Sequence, residues 1–450
     1  MTTKQMHDAT ADQSEDISLE PLMVFSSDTH VGPRPEDLRP YCEKRYLRQF
    51  DEFAGSESAS VAVYKEMFLN TFSDAYRRGS HRNQLTEGHH DPHARLRDMD
   101  RDGVSGGVIF HNSLNGQPFP FDVMNTFGNS VPSAEDRELV GVGRTIYNRW
   151  LSDFCSVEPE RNVGLAQLPF WDIPAAIKEL EAAAESGLRG VNFPAPGTFG
   201  MAQPDEEEFD DFFAACAALD MTLATHIGAL PPPAGRNGGI LSQTPAFHRF
   251  TLLDTTEWGL RTIRMLTLHG VFERHPNLKL IVTELPGNDW DGTNAKMDSV
   301  YYSPEIRKDS VLSKPPSEYT GTNLWIGNSF QSRSEATGAI DIGRADRFLW
   351  GSDYPHPEGT WSYPESDDEY PMTRLALANT YHGLPLDKVR LLAGENAVDC
   401  YPRLDRAALR KVADRIGPSV EEIMSPPDVD RDSLIEATGT LAFRTGGAWD

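Results

Sequence analysis

From residue 163 to residue 353 the sequence alternates between short apolar runs and longer amphipathic stretches, and few folds accommodate that order. Val163–Leu168, Gly190–Phe193, Thr222–Thr225, Lys279–Thr283, Asn323–Gly327 and Phe348–Trp350 read as buried strands. Between them Ile173–Ser186, Glu206–Leu219, Leu252–Phe272, Asn294–Tyr302 and Ser334–Ile340 read as helices. Two earlier runs, Leu22–Phe25 and Val108–Phe110, have the same strand character. Helices are predicted at Pro35–Phe53, from Asp91-Pro92 to Gly103, and at Glu138–Val157. At Asp91-Pro92 an N-capping aspartate precedes a proline at the first helical position. Val61–Tyr76 reads as helical and 79–92 as a polar loop. A strand followed by a crossover helix must pair in parallel with the next strand. Repeated eight times, that unit predicts a closed α/β barrel, the (β/α)8 TIM barrel, rather than an open doubly wound sheet. No G-x-G-x-x-G follows the first strand, so a dinucleotide fold has no support.

The barrel is expected over residues 21–401, behind a disordered acidic tail at 1–20. Helices near Leu375–Tyr381 and Leu386–Leu392 end it, and a helical or irregular C-terminal extension, 402–450, packs on the barrel or on a neighbouring subunit. Residues 112–136, rich in Asn, Gly, Pro and Ser, and 228–247, with Pro231-Pro232-Pro233 and Gly238-Gly239, read as long loops over the active face. A formal charge of −26 disfavours nucleic acid and anionic membranes as partners, because both need a basic field. Cys42, Cys155, Cys216 and Cys400 are scattered, which excludes a zinc finger or disulfide scaffold and suits a reducing compartment. Residues 1–20 lack the basic and apolar segments of a signal peptide, and no apolar run approaches the ~18 residues of a membrane span. The expectation is a cytoplasmic protein.

Asp28-Thr29-His30 stands at the end of the first strand, where alternate side chains point the same way. Singly, such a triplet is more often a hydrogen-bonded polar strand end. His226, Glu284 and Asp353 each follow a later strand, however, and all strand C-termini of a barrel open on one face. Residues far apart in sequence would then converge on a metal. In the connection after the first strand, His89-His90-Asp91-Pro92-His93 offers His90 and His93 as further ligands, His89 less so. His111 is a candidate substrate-contacting or supporting residue, and His356 a candidate for orienting a ligand or shuttling protons. Mixed carboxylate and imidazole donors without thiolate suit iron and manganese. Their number fits either one ion with spare catalytic carboxylates or two ions.

Asp28-Thr29-His30, the run Gly270–Lys279 (GVFERHPNLK) and Gly351–His356 (GSDYPH) resemble the amidohydrolase-related barrel family that includes aminocarboxymuconate-semialdehyde decarboxylase. The resemblance covers about residues 22–401 and implies a metal-dependent (β/α)8 barrel, with His226 and Asp353 matching the family's mid-barrel histidine and last-strand aspartate. The decarboxylases typically open with His-x-His or Glu-x-His and carry an acid–base histidine after the sixth strand; this chain has Asp-x-His and Glu284 there. Those departures resemble a longer branch of the family, that of the non-haem diiron monooxygenase of platensimycin and platencin biosynthesis.

The resemblance implies two Fe(II) ions, O2, an external electron donor and a bulky substrate of terpenoid or CoA-linked type. Arg34, Arg144, Arg149 and Arg236 are candidates for a phosphate site on such a carrier. The alternative is one Zn or Mn ion in a decarboxylase or hydrolase, with Glu284 as acid–base group. A homo-oligomer is expected in either case.

Overall fold

The structure, a computed structural model, describes residues 19–55, 69, 72–122, 132–194, 207–227, 245–287, 290–305, 307, 310–444 and 446. Eight strands pair side by side in chain order: β1 (Val24–Val31), β2 (Val104–His111), β3 (Asn162–Ala166), β4 (Gly190–Asn192), β5 (Thr222–His226), β6 (Leu280–Thr283), β7 (Leu324–Ser329) and β8 (Phe348–Gly351). Every adjacent pair is parallel. The last strand returns to the first: His30 N–H donates to the Tyr354 carbonyl at 2.6 Å, and Asp353 N–H to the Asp28 carbonyl at 3.0 Å. This is the (β/α)8 TIM barrel that the alternation predicts.

The lumen is packed, not hollow. Phe25, Val108, Phe110, Val163, Leu165, Ala224, Ile281, Trp325 and Leu349 fill it, and Tyr401, Leu404, Leu409 and Ala413 plug it from below. A larger apolar shell lies between the strands and the surrounding helices. Layers of large side chains leave polar groups room only at the mouth, where the strand C-termini open.

Two helical expectations change. The stretch predicted as Pro35–Phe53 is broken into Pro35–Leu38, Arg39–Tyr41 and Lys44–Tyr46 with a helical continuation, because Pro40 has no N–H to continue the first turn. The first five residues of the supposed polar loop 79–92 are instead the end of α1 (Asp74–Asn83), capped by the Ser73 side chain. Its buried positions are Gly79, Ser80 and Asn83, so it presents no apolar stripe to betray it. Residues 56–68, which hold the first half of the helix predicted at Val61–Tyr76, lie outside the described residues.

The helix that follows, α2 (Pro92–Asp102), starts as expected. The Asp91 side chain accepts from His93 N–H and Ala94 N–H, and Gly103 closes the helix at φ 79°.

Beyond the barrel, α3 (Arg406–Ile416) packs under the strands, with Leu409 and Ala413 in the plug. α4 (Arg431–Thr438) lies against α1. The extension thus reaches both ends of the barrel. Among the described residues no helix is long and apolar enough to cross a membrane.

Candidate metal centre

β1 brings Asp28 and His30 to the mouth as a pair, both fully buried. His30 Nε2 lies 3.2 Å from Asp28 Oδ1 and 3.2 Å from Asp353 Oδ1. His226, ending β5, places Nε2 3.5 Å from Asp28 Oδ2 and Nδ1 3.6 Å from Glu284 Oε2. His356 stacks on His30 with ring centroids 4.2 Å apart and sets Nδ1 3.1 Å from Asp353 Oδ1. Among the described residues, three overlapping groups could each hold a cation: Asp28–His30–His226, His30–Asp353–His356 and Glu284–Asp353–Glu358.

The strand ends explain the convergence. Glu284, Phe330 and Asp353, just past β6, β7 and β8, have φ of 61°, 42° and 54°, and Asn112 past β2 has φ 78°. A left-handed backbone at a side chain other than glycine is strained by ~1–3 kcal/mol. Here it stops the extended run and turns the chain over the mouth, so that two of the four turning residues are the carboxylates themselves.

Backbone carbonyls orient the imidazoles. A carbonyl only accepts, so the ring nitrogen facing it must carry the proton. His30 Nδ1–H donates to the His111 carbonyl at 2.8 Å, and His356 Nε2–H to the Asn112 carbonyl at 3.0 Å. His226 Nδ1–H donates to the Ile227 carbonyl. In neutral rings the remaining nitrogens are bare, and they face carboxylate oxygens. Ser329 Oγ donates to Asp28 Oδ2 at 2.5 Å. Asp28 Oδ1, His30 Nε2, His226 Nε2, both Asp353 oxygens and Glu358 Oε2 are buried and make no hydrogen bond. Buried polar atoms are rarely left so. A divalent cation of the manganese or zinc type would satisfy this oxygen and nitrogen set, and the residues fit one.

These groups shift one another's ionisation. Burial opposes the charge on Asp28, yet His226 and His30 hold its carboxyl well below the usual range. Burial likewise opposes protonation of His30, but Asp28 pulls it well above an ordinary histidine. Glu284 goes the other way: burial, then the charges of Asp353 and Asp28, push its carboxyl well up. Glu358 is raised to about 7 by burial and Asp353.

Asp28, His30, His226, Glu284, Asp353 and His356 are therefore brought together. His90 and His93 are not. His90 is half-buried beside Asp37, 3.8 Å away, and burial with the nearby Arg34 lowers its pKa. His93 is exposed at the start of α2. The Asp91 cap commits that stretch to starting a helix, and the cluster's buried member, His89, sets Nδ1 2.5 Å from Ser113 Oγ. His111 supports the centre through its carbonyl. Its ring stacks on Phe119 at 3.8 Å, and burial with Arg144 pushes its pKa down to about 3. Arg34 is forked onto Asp37, Arg144 Nη2 donates to Asp122 Oδ2 at 2.6 Å, and Arg236 lies outside the described residues. The sequence reading missed Glu358 and Ser329. Glu358 carried a faint signal, two residues past His356; Ser329 carried none.

A protein-family model described as Amidohydrolase matches residues 81–403. Gamma-resorcylate decarboxylase of Polaromonas sp. is 26% identical over 229 residues, 46% of this chain and 64% of that protein, so the match spans less than two thirds of the relative. The crystal structure of 5-carboxyvanillate decarboxylase from Sphingomonas paucimobilis aligns over 85% of this chain and 99% of its own, at 19% identity and TM-score 0.55. A dihydroxybenzoic acid decarboxylase from Polaromonas sp., solved with bound manganese and the inhibitor 2-nitroresorcinol, aligns over 86% and 98%, at 16% identity and TM-score 0.52. At these identities the structural likeness is one of fold. The family match, by contrast, runs from α1 to the end of the barrel, and the chain belongs to the amidohydrolase family.

Proposed function

We propose that this protein is a metal-dependent decarboxylase, a lyase acting on a small carboxylated aromatic compound with one manganese or zinc ion. The observation that carries the reading is the set of buried, hydrogen-bond-less atoms of Asp28, His30, His226 and Asp353 at the barrel mouth. These four would hold the ion. When bound, it supplies a Lewis acid that orients the anionic substrate.

The remaining work falls to the chain. Loss of CO2 leaves an electron pair on the ring carbon, and a proton must be delivered there. Glu284, whose carboxyl burial, Asp353 and Asp28 push well up, is a group beside the donors suited to give it. The carbonyls of His111 and Asn112 keep His30 and His356 in one tautomer. Of the loops expected to cover the substrate, 112–136 and 228–247, residues 123–131 and 228–244 lie outside the described residues. That the curated relative and both aligned structures named above are decarboxylases of hydroxylated benzoates supports the substrate class.

The test is anaerobic. Chain loaded with Mn(II) is expected to release CO2 from hydroxybenzoates without oxygen. A chain that takes up no Mn(II) or Zn(II), or that turns over only with O2 and a reductant, would overturn the reading.

One observation favours a second reading. Asp353 is shared between two donor groups, and Glu284 with Glu358 supplies oxygens enough for another ion. Two Fe(II) ions, with O2 and an external electron donor, would then serve hydroxylation of a bulky terpenoid or CoA-linked substrate. The comparisons lend that reading no support. Two irons per chain and oxygen consumption coupled to product would install it.

A further inference from the structure

The family match stops at residue 403, but the chain continues to the active face. There α4 meets α1 so closely that a Cβ on Gly79 would sit 1.7 Å from the Thr438 carbonyl oxygen. Gly439, at φ 77°, ends α4, and the residues after it run along the barrel mouth. Leu441 N–H donates to the Glu358 carbonyl at 2.8 Å, and Thr440 Oγ1 to the Gly359 carbonyl at 2.6 Å.

Arg444 goes deeper. Its Nη2 lies 2.8 Å from Glu335 Oε2, with side chains only 4% and 1% exposed, and its Nη1 donates to the Phe330 carbonyl at 3.0 Å. Phe330 is the left-handed residue after Ser329, the donor to Asp28. The other Glu335 oxygen accepts Gly287 N–H at 3.2 Å, three residues past Glu284. Glu284, Phe330, Glu335 and Arg444 line one small cavity.

A buried ion pair is poor evidence for stability, since an apolar pair of similar volume often does as well. This one joins the loops after β6 and β7, beside the segment that holds the Glu358 backbone.

We propose that Thr440–Arg444 belong to the active centre. Arg444 is a positioning residue that, through Glu335 and the Phe330 carbonyl, holds Glu284 and Ser329 around the donor set. The inference rests on the reading of that set as a metal centre.

The experiment uses the full chain, stripped of metal, and measures Mn(II) affinity by competition with a chelating dye beside thermal melting of the same sample. Arg444→Met/Glu335→Gln removes both charges and so leaves neither buried ion unpaired. It is expected to melt cooperatively near wild type but to bind Mn(II) roughly ten-fold more weakly. Arg444→Lys keeps the charge without the fork and should recover part of that affinity. Wild-type affinity in a folded double variant overturns the proposal. Should the double variant fail to fold, wild-type affinity in Arg444→Lys overturns it instead, and weakened affinity there supports it. A wild-type chain that takes up no Mn(II) removes the metal reading and this inference together, whereas unaltered variants beside a binding wild type remove this inference alone.

Discussion

At the mouth of the barrel single hydrogen bonds decide what each titratable group can do. His30 and His356 each give one ring proton to a backbone carbonyl, so only the other nitrogen is left for the centre. Glu284 differs from Asp28 in the same neighbourhood: burial and the charges of Asp353 and Asp28 outweigh the nearby histidines, whereas His226 and His30 win at Asp28. On the proposed reading, one acidic group would be ionised for binding and another protonated for transfer. Glu284→Gln is expected to lower kcat by ~10²–10⁴-fold, with Mn(II) affinity little changed, in a steady-state assay beside a binding titration. A comparable loss of affinity would make Glu284 a ligand. Ser329→Ala removes the hydroxyl that orients Asp28, and Mn(II) should bind ~10-fold more weakly.

Among the elements, the strand-to-loop turns and α2 carry the most chemistry. Asn112 sits at φ 78° and contributes its carbonyl, not its side chain, to His356. Asn112→Gly should therefore be neutral or slightly stabilising, while Asn112→Val should cost ~1–3 kcal/mol in denaturant unfolding. At the end of α2, Asp102 is buried against Thr373, and burial raises its pKa from 3.8 to about 7. The folded chain then holds a proton that the unfolded chain releases between about pH 4 and pH 7, so stability falls as pH rises through that window. At about 1.4 kcal/mol per pH unit, the loss at Asp102 is capped at ~4 kcal/mol. Asp102→Asn should remove this slope from a stability profile measured between pH 4 and 8. A profile unchanged by the substitution would show that Asp102 is ionised throughout.

For the whole molecule, folding gathers four carboxylates, Asp28, Glu284, Asp353 and Glu358, at one end of a closed barrel. Their mutual repulsion is relieved by a bound cation, so Mn(II) should raise stability by ~2.7 kcal/mol at a free concentration of 100 times its Kd. The check is a melting series with Mn(II) and with chelator, and no shift would mean that no ion binds the native state. The sequence alone determined the architecture, because alternating apolar runs and amphipathic helices admit little besides a parallel barrel, and Asp28, His30, His226, Glu284 and Asp353 were legible as the residues ending its strands. Local pattern could not separate them from His90 and His93, which look equally like ligands until the Asp91 cap and Asp37 draw them off. Nor could it find Glu358, Ser329 or Arg444, since each acts across a long sequence separation on a group from another strand end. Only the closed barrel decided those, because proximity at its mouth depends on which strand ends meet there and not on neighbours along the chain.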